Sequence, residues 1–239
     1  MSSKNLACAI LLCIVAALLP GLTLDYDIRS LGLKIADLSL TCSIADGYIE
    51  ASAVSEEGSA FFPSLDNQYR SEFDANFLPR KYERKIKQTK LSDQVEVSYF
   101  HFAHYARVNQ QNGKRSSSYA IADSTRDIFS LLAMLISGRA EPGEYSVDGN
   151  GQLWTAYLSK EGRERIRTNL GRFSCTKYAL RFKPQSPDKM PYVDMVTHNL
   201  LKEDSKLTLW ISEDLIPLKA VVNRGLISMS WEIRDYQNR

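Results

Sequence analysis

Along most of the chain apolar and polar residues alternate with a period of two, the spacing of strands that bury one face and wet the other. Ile227, Met229, Trp231 and Ile233 fall on one side while Ser228, Ser230, Glu232 and Arg234 fall on the other, and Leu207, Leu209 and Ile211 oppose Thr208, Trp210 and Ser212. The same spacing sets Phe73, Ala75 and Phe77 against Glu72, Asp74 and Asn76, and Val95, Val97 and Tyr99 against Glu96 and Ser98. Ala45-Asp46-Gly47, Asn112-Gly113 and Asp148-Gly149-Asn150-Gly151 are turn signals between such runs.

One stretch breaks the rhythm. Residues 124–138, STRDIFSLLAMLISG, carry Ile128, Phe129, Leu131, Leu132, Met134, Leu135 and Ile136 with only Ser130 and Ala133 between them, so a helix there is apolar in nearly every direction. Ser124 is its expected cap, with Asp127 answering three residues on, and Gly138 is its stop. A helix apolar all round has to be enclosed. A flat sheet cannot enclose one. The pattern therefore predicts a mainly β fold in which a strongly bent antiparallel sheet, half-barrel to barrel-like, wraps around one buried α-helix at about 124–138.

The first residues change the compartment. Lys4, the fourteen-residue apolar run from Leu6 to Leu19, then Pro20, Gly21 and Thr23 have the three regions of a secretory signal peptide, and the run is short for a membrane span. Residues 1–23 are read as that peptide and 24–239 as a single β-rich domain of an exported, periplasmic protein, with no membrane span in the mature chain. A formal net charge of +2 with 24% charged residues gives no pull toward nucleic acid. Of four cysteines, Cys42 and Cys175 remain after cleavage. In an oxidising compartment they form either a disulfide or two separate buried thiols.

Catalytic chemistry finds little to hold. His101, His104 and His198 lack the spacing of helix-borne metal ligands, and there is no G-x-S-x-G, phosphate-cradling loop or dinucleotide fingerprint. No enzyme, metal or cofactor is expected. The basic run RKYERKIKQTK at 80–90 reads as a solvated strand face, KEGRERIR at 160–167 as an outer strand, and Glu213-Asp214 as a turn in which Asp214 bonds local amides before Pro217. Two loops are more suggestive. Phe61 and Phe62 stand beside Pro63, and Met190, Tyr192 and Met195 beside Pro187 and Pro191, so apolar, adaptable side chains collect where a ladder is unlikely to form. They either border the mouth of a cavity for a hydrophobic small molecule or plug one end of the core. With a packed core, the chain would be a structural or protein-binding component of the cell envelope.

Four pieces in succession carry a resemblance: YDIRSLGLKIADLSL (26–40), RDIFSLL (126–132), GRERIRTNLGRFSC (162–175) and LTLWISEDLIPLKA (207–220). In this order they resemble an uncharacterised family of bacterial, mainly proteobacterial, exported proteins. The likeness implies a curved antiparallel sheet around a helix, similar in outline to the half-barrels of periplasmic lipoprotein carriers. It implies no activity. Trp210, Asp214 and Pro217 match the family motif without a known role, and the polar approach KEDSKLTLW departs from it.

Overall fold

A computed structural model describes residues 21–55, 64–88, 91–110, 115–149, 151–186, 200–224 and 227–238. The strands are β1 (Leu22–Ser30), β2 (Leu33–Ser43), β3 (Tyr48–Val54), β4 (Leu65–Phe73), β5 (Pro79–Gln88), β6 (Leu91–Phe100), β7 (Tyr105–Gln110), β8 (Arg115–Ala120), β9 (Arg126–Asp127), β10 (Gly143–Gly149), β11 (Gln152–Thr168), β12 (Gly171–Pro184), β13 (Ser205–Ser212), β14 (Pro217–Arg224) and β15 (Ile227–Asn238). The helix α1 is Ile128–Ile136. All fifteen strands share one sheet in the order β8 to β1, then β15 to β9. The first half therefore runs as successive hairpins in one direction and the second half in the other. They meet where β1 pairs β15 from Leu22↔Asn238 to Ser30↔Met229. Neighbours are antiparallel except for the two-residue parallel pairing of β9 with β10.

The expected bent sheet around a helix is present, and the way its ends meet could not be read from the chain. Among the described residues no ladder joins β8 to β9, so the sheet is not closed by backbone pairing. Side chains cross the gap instead. Tyr119 of β8 and Tyr99 of β6 both donate to Asp148 Oδ2 of β10, the latter at 2.8 Å. Ser71 of β4 donates to Asp127 Oδ2 of β9 at 2.6 Å, and on the β9–β10 side of the gap the Thr125 and Ser146 hydroxyls lie 3.1 Å apart.

This seam relocates the start of the helix. Arg126 and Asp127 are held in strand conformation by β10, so the chain turns helical only after Asp127, which sits at φ −89°, ψ 170°. The capping box is consequently Asp127 with Ser130, not Ser124 with Asp127: Asp127 Oδ1 accepts from the Ser130 amide at 2.7 Å, and Ser130 Oγ accepts from the Asp127 amide at 3.1 Å. The end agrees with the sequence. Gly138 takes φ +72°, its amide reaches Leu135 O at 3.1 Å and the Arg139 amide reaches Met134 O at 3.1 Å, which is the Schellman arrangement. A side chain at Gly138 would meet Leu215 as well as the backbone strain. Most of α1 is buried, with Phe129 stacked on Tyr69 and Tyr82 at centroid distances of 5.5 and 6.0 Å. Leu132 and Met134 are only half-buried, so the helix is not fully packed on every side.

Several local readings are corrected. Phe77 is not in a strand: β4 ends at Phe73, and Phe77 turns back at φ 60° to stack on Phe73 at 5.3 Å, buried. The face of the basic run carrying Arg80, Lys85 and Lys87 is solvated as expected, but the other face is not. Arg84 on that face is fully buried and ion-paired to Asp93, whose second oxygen accepts from Gln110 at 3.0 Å. In the turn before Pro217 it is Ser212 Oγ, not Asp214, that takes a local amide, from Ile216 at 3.1 Å. Cys42 and Cys175 are both buried and free, so of the two alternatives the thiols are separate. Cys42 lies between Leu22 and Ile49 on β1 and β3, Cys175 between Glu164 and Ser212 on β11 and β13.

Candidate functional site

The concave face of β1 to β5 alternates as the sequence predicts, but its inward residues are small where they approach α1: Ala36 on β2, and Ala51 and Ala53 on β3. Small side chains at those positions and a nine-residue helix leave a gap. The result is a cavity of about 280 Å³ between α1 and the sheet. One wall is Ile128, Phe129, Leu131, Leu132 and Leu135 of α1. The opposite walls come from both halves of the sheet, with Ile28, Leu38 and Leu40 on one side and Leu180, Leu207, Leu209, Val222, Met229 and Trp231 on the other. The volume approaches that of small-ligand pockets, which start at about 300 Å³, and exceeds the roughly 150 Å³ that accommodates benzene in an engineered apolar cavity.

Among the described residues the polar groups of this lining are those of Tyr26, Asn67, Tyr69, Gln88, Lys219 and the Trp231 indole, and several have protein partners. The Tyr26 hydroxyl donates to Pro217 O at 2.6 Å, and burial pushes its pKa far above the ordinary phenol range, so it stays a neutral donor. Lys219 bonds Glu232 Oε1 at 3.0 Å. Asn67 of β4, 2% exposed, donates its amide to the Tyr69 hydroxyl at 3.1 Å, while its Oδ1 is buried and accepts no hydrogen bond. Its ladder neighbours are Ala53 and Ile86, neither of which has a side-chain donor to offer. An unsatisfied buried acceptor costs about 1–3 kcal/mol.

The seam differs in every respect. Asp127 and Asp148 are 3% and 4% exposed and adjacent across the parallel β9–β10 pairing. Burial raises the carboxyl pKa of both, Asp148 to about 6, against the lowering effect of the hydroxyls bonded to them; the charge of Asp127 raises Asp148 further. These carboxyls tie the ends of the sheet together and are not part of the cavity lining described above; Asp148 Oδ1 is buried without a partner. On the outer surface Trp210 Nε1 donates to Glu164 at 3.0 Å, and Lys177 and Lys219 lie over its ring at 5.4 and 6.0 Å, which gives that motif residue a place in a surface charge network. His101 Nε2 lies 2.8 Å from Pro79 O and His104 faces Asp123 at 2.6 Å; no group of His, Cys, Asp and Glu among the described residues could hold a metal ion.

Phe61, Phe62, Met190, Tyr192 and Met195, expected at a cavity mouth, lie outside the described residues. Leu65, shortly after the first of those segments, and Leu200, directly after the second, both line the cavity. The sequence reading missed Asn67 and Leu132. The only signal for Asn67 was an amide on the inward parity of a strand, next to Tyr69 two residues on.

No helix among the described residues is long and apolar enough to cross a membrane. The chain is similar in structure to a β-barrel-like protein of a domain of unknown function, DUF1849, from Brucella abortus, with a TM-score of 0.58 at 10% identity, covering 92% of this chain and 98% of that one. It is more distantly similar to the hypothetical lipoprotein YmcC from Escherichia coli, TM-score 0.41 at 12% identity over 98% of this chain and 96% of that one. An exported protein of Bacteroides fragilis with a YmcC-like fold follows at TM-score 0.33, 8% identity, and 92% and 96% coverage. No curated protein matches the sequence. The barrel-like likeness agrees with the curled sheet, and residues 25–225, which take in the helix and the strands from most of β1 to β14, match the model of one family: the chain belongs to the family of proteins of unknown function DUF3108.

Proposed function

We propose that this chain is an exported, non-enzymatic binding protein of the cell envelope that holds one lipid-like or other hydrophobic small molecule between α1 and the sheet. The observation that carries the reading is the apolar cavity of about 280 Å³. Interiors otherwise reach crystal-like density and voids there cost stability, so a gap of this size between α1 and the sheet favours a guest over a packed core. Export is supported by the apolar leader at 6–19. Phe61, Phe62, Met190, Tyr192 and Met195 remain proposed entrance residues, since Leu65 and Leu200 beside their segments belong to the lining.

The test is saturation binding of an environment-sensitive fatty-acid probe to the folded protein, followed by Leu132→Trp. Leu132 lines the cavity and is only half-buried, so a larger side chain fills the volume with little overpacking. One site per chain is expected, weakened at least tenfold, about 1.4 kcal/mol, by the filled cavity at an unchanged melting temperature. A folded wild type that binds no apolar probe overturns the proposal.

A further inference from the structure

We infer that the tip of the β11–β12 hairpin docks the protein on the anionic surface of a phospholipid membrane. This holds whether or not the cavity takes a guest. β10 accompanies β11 only as far as Leu158, and β13 accompanies β12 only from Cys175, so among the described residues 165–168 and 171–174 pair with each other and with no further strand. Alternation puts Arg165 and Arg167 on one face of this ribbon with Ser174 and Arg172 opposite them, and sets Ile166 against Phe173 on the other face. Ile166 and Phe173 are half-buried and pack against the core, whereas all three arginines are exposed. Leu170, in the turn between Arg167 and Arg172, is 37% exposed. The charge pattern calls for a partner. Across other ladders Arg70 stands opposite Glu50 and Lys219 opposite Glu232, each forming an ion pair. Two other pairs of cations face each other, and in both an acid of the chain attends them: Arg29 and Lys34 share Asp27 at 3.1 and 3.4 Å, and Lys206, opposite Arg181, meets Glu161 at 2.6 Å. Arg167 and Arg172 also face each other, yet among the described residues neither they nor Arg165 has an ion pair. Of the nearby acids, Glu164 is engaged by Trp210 and Lys177, and Glu213 lies 3.5 Å from Arg163. Like charges directly opposite across a ladder are destabilising, so an anion from outside the chain relieves this pair. Guanidinium groups match phosphate oxygens in shape as well as charge. Leu170 favours a membrane over an acidic protein, because an apolar tip among arginines suits the interface where phosphates border the acyl region.

Co-sedimentation of the exported protein with vesicles, at low ionic strength and with no apolar probe present, tests this. Wild type should bind vesicles of phosphatidylcholine mixed with phosphatidylglycerol, not bind phosphatidylcholine alone, and be released by added salt. Arg172→Glu places an acid opposite Arg167. It should weaken binding to the mixed vesicles at least about tenfold, while the melting temperature holds or rises because the opposed charges now attract. Arg80→Glu, the same change of charge at an exposed position of β5, should weaken binding far less. Leu170→Ser should weaken it as well, which charge alone does not predict. Folded wild type that does not bind the mixed vesicles overturns the inference, as does an equal loss in Arg80→Glu and Arg172→Glu. Capture of soluble polyglutamate without vesicle binding also overturns it and assigns the arginine face to an acidic protein.

Discussion

Two of the places where the protein buries polar groups are treated differently. At the seam, Asp127 and Asp148 are surrounded by donors: the Ser71, Tyr99 and Tyr119 hydroxyls and the Ser130 amide. At the cavity, Asn67 has an oxygen with no donor at all. A folded chain tolerates buried polarity when every member is bonded, and such a network then fixes one arrangement of its elements. The seam comes close to this, leaving Asp148 Oδ1 without a partner, and it ties β4, β6 and β8 to β9, β10 and the first turn of α1 where, among the described residues, no backbone ladder does so. The Asn67 amide belongs to the cavity lining, where the packing is also incomplete. The contrast is between a polar cluster that ties strands together and a mostly apolar wall that leaves a gap.

The largest effect should come from placing a charge at a fully buried position of α1 rather than at a half-buried one, both of them in the cavity wall. Leu131 is 2% exposed and its neighbour Leu132 is half-buried in the cavity wall. Leu131→Asp should abolish folding, at a cost on the order of 4 kcal/mol or more for an uncompensated buried carboxylate. Leu132→Asp should stay folded, with the new charge at the cavity edge, and lose probe binding. Circular dichroism melts of the two variants check this, and equal loss of structure in both would erase the distinction between the buried and the half-buried position.

The seam can be titrated. The carboxyl of Asp148 is raised from 3.8 to about 6 in the folded state, so the folded protein holds this proton more tightly than the unfolded chain does. The contribution is fully present below about pH 4 and is lost as pH rises through about 6. Each tenfold gain in proton affinity on folding is worth about 1.4 kcal/mol, so this group alone lowers stability by roughly 3 kcal/mol across that interval. Asp127, also raised by burial, adds to the fall in the same direction. Asp148→Asn should flatten the pH dependence between about 4 and 6 while keeping an oxygen that both tyrosines can reach. Denaturant unfolding of both proteins across that range provides the comparison, and identical slopes would mean that Asp148 does not carry the effect.

A smaller loss is expected when the cap is removed. Asp127→Ala deletes the acceptor for the Ser130 amide and the Ser71 hydroxyl, and should cost about 1–2 kcal/mol, the range of N-cap deletions, part of it offset because a buried carboxyl no longer needs desolvating. Chemical unfolding measures it. A loss no larger than that of Ser124→Ala, whose side chain is exposed, would argue for the cap position first expected from the sequence.

The strands and the existence of the helix were legible because each depends on a local repeat: Val95, Val97 and Tyr99 all point inward as their spacing requires. The site was less legible. Asp127 looked like an accessory to a Ser124 cap because nothing local reveals that β10, about twenty residues further along, holds Arg126 and Asp127 extended. Arg84 looked solvated because its partner Asp93 sits on the next strand. The cavity depends on a mismatch of volumes between α1 and residues such as Ala51 and Ala53, and periodicity marks which way a side chain points without saying whether the space in front of it is filled.

Methyl resonances of isoleucine, leucine and valine, followed during titration with a medium-chain primary alcohol, test the central claim most directly. Saturable shifts are predicted for Leu40, Leu132, Leu135 and Leu209 around the cavity, with Val97 and Val147 outside its lining little changed. Absence of saturable shifts at the cavity methyls, or shifts confined to Val97 and Val147, would contradict it.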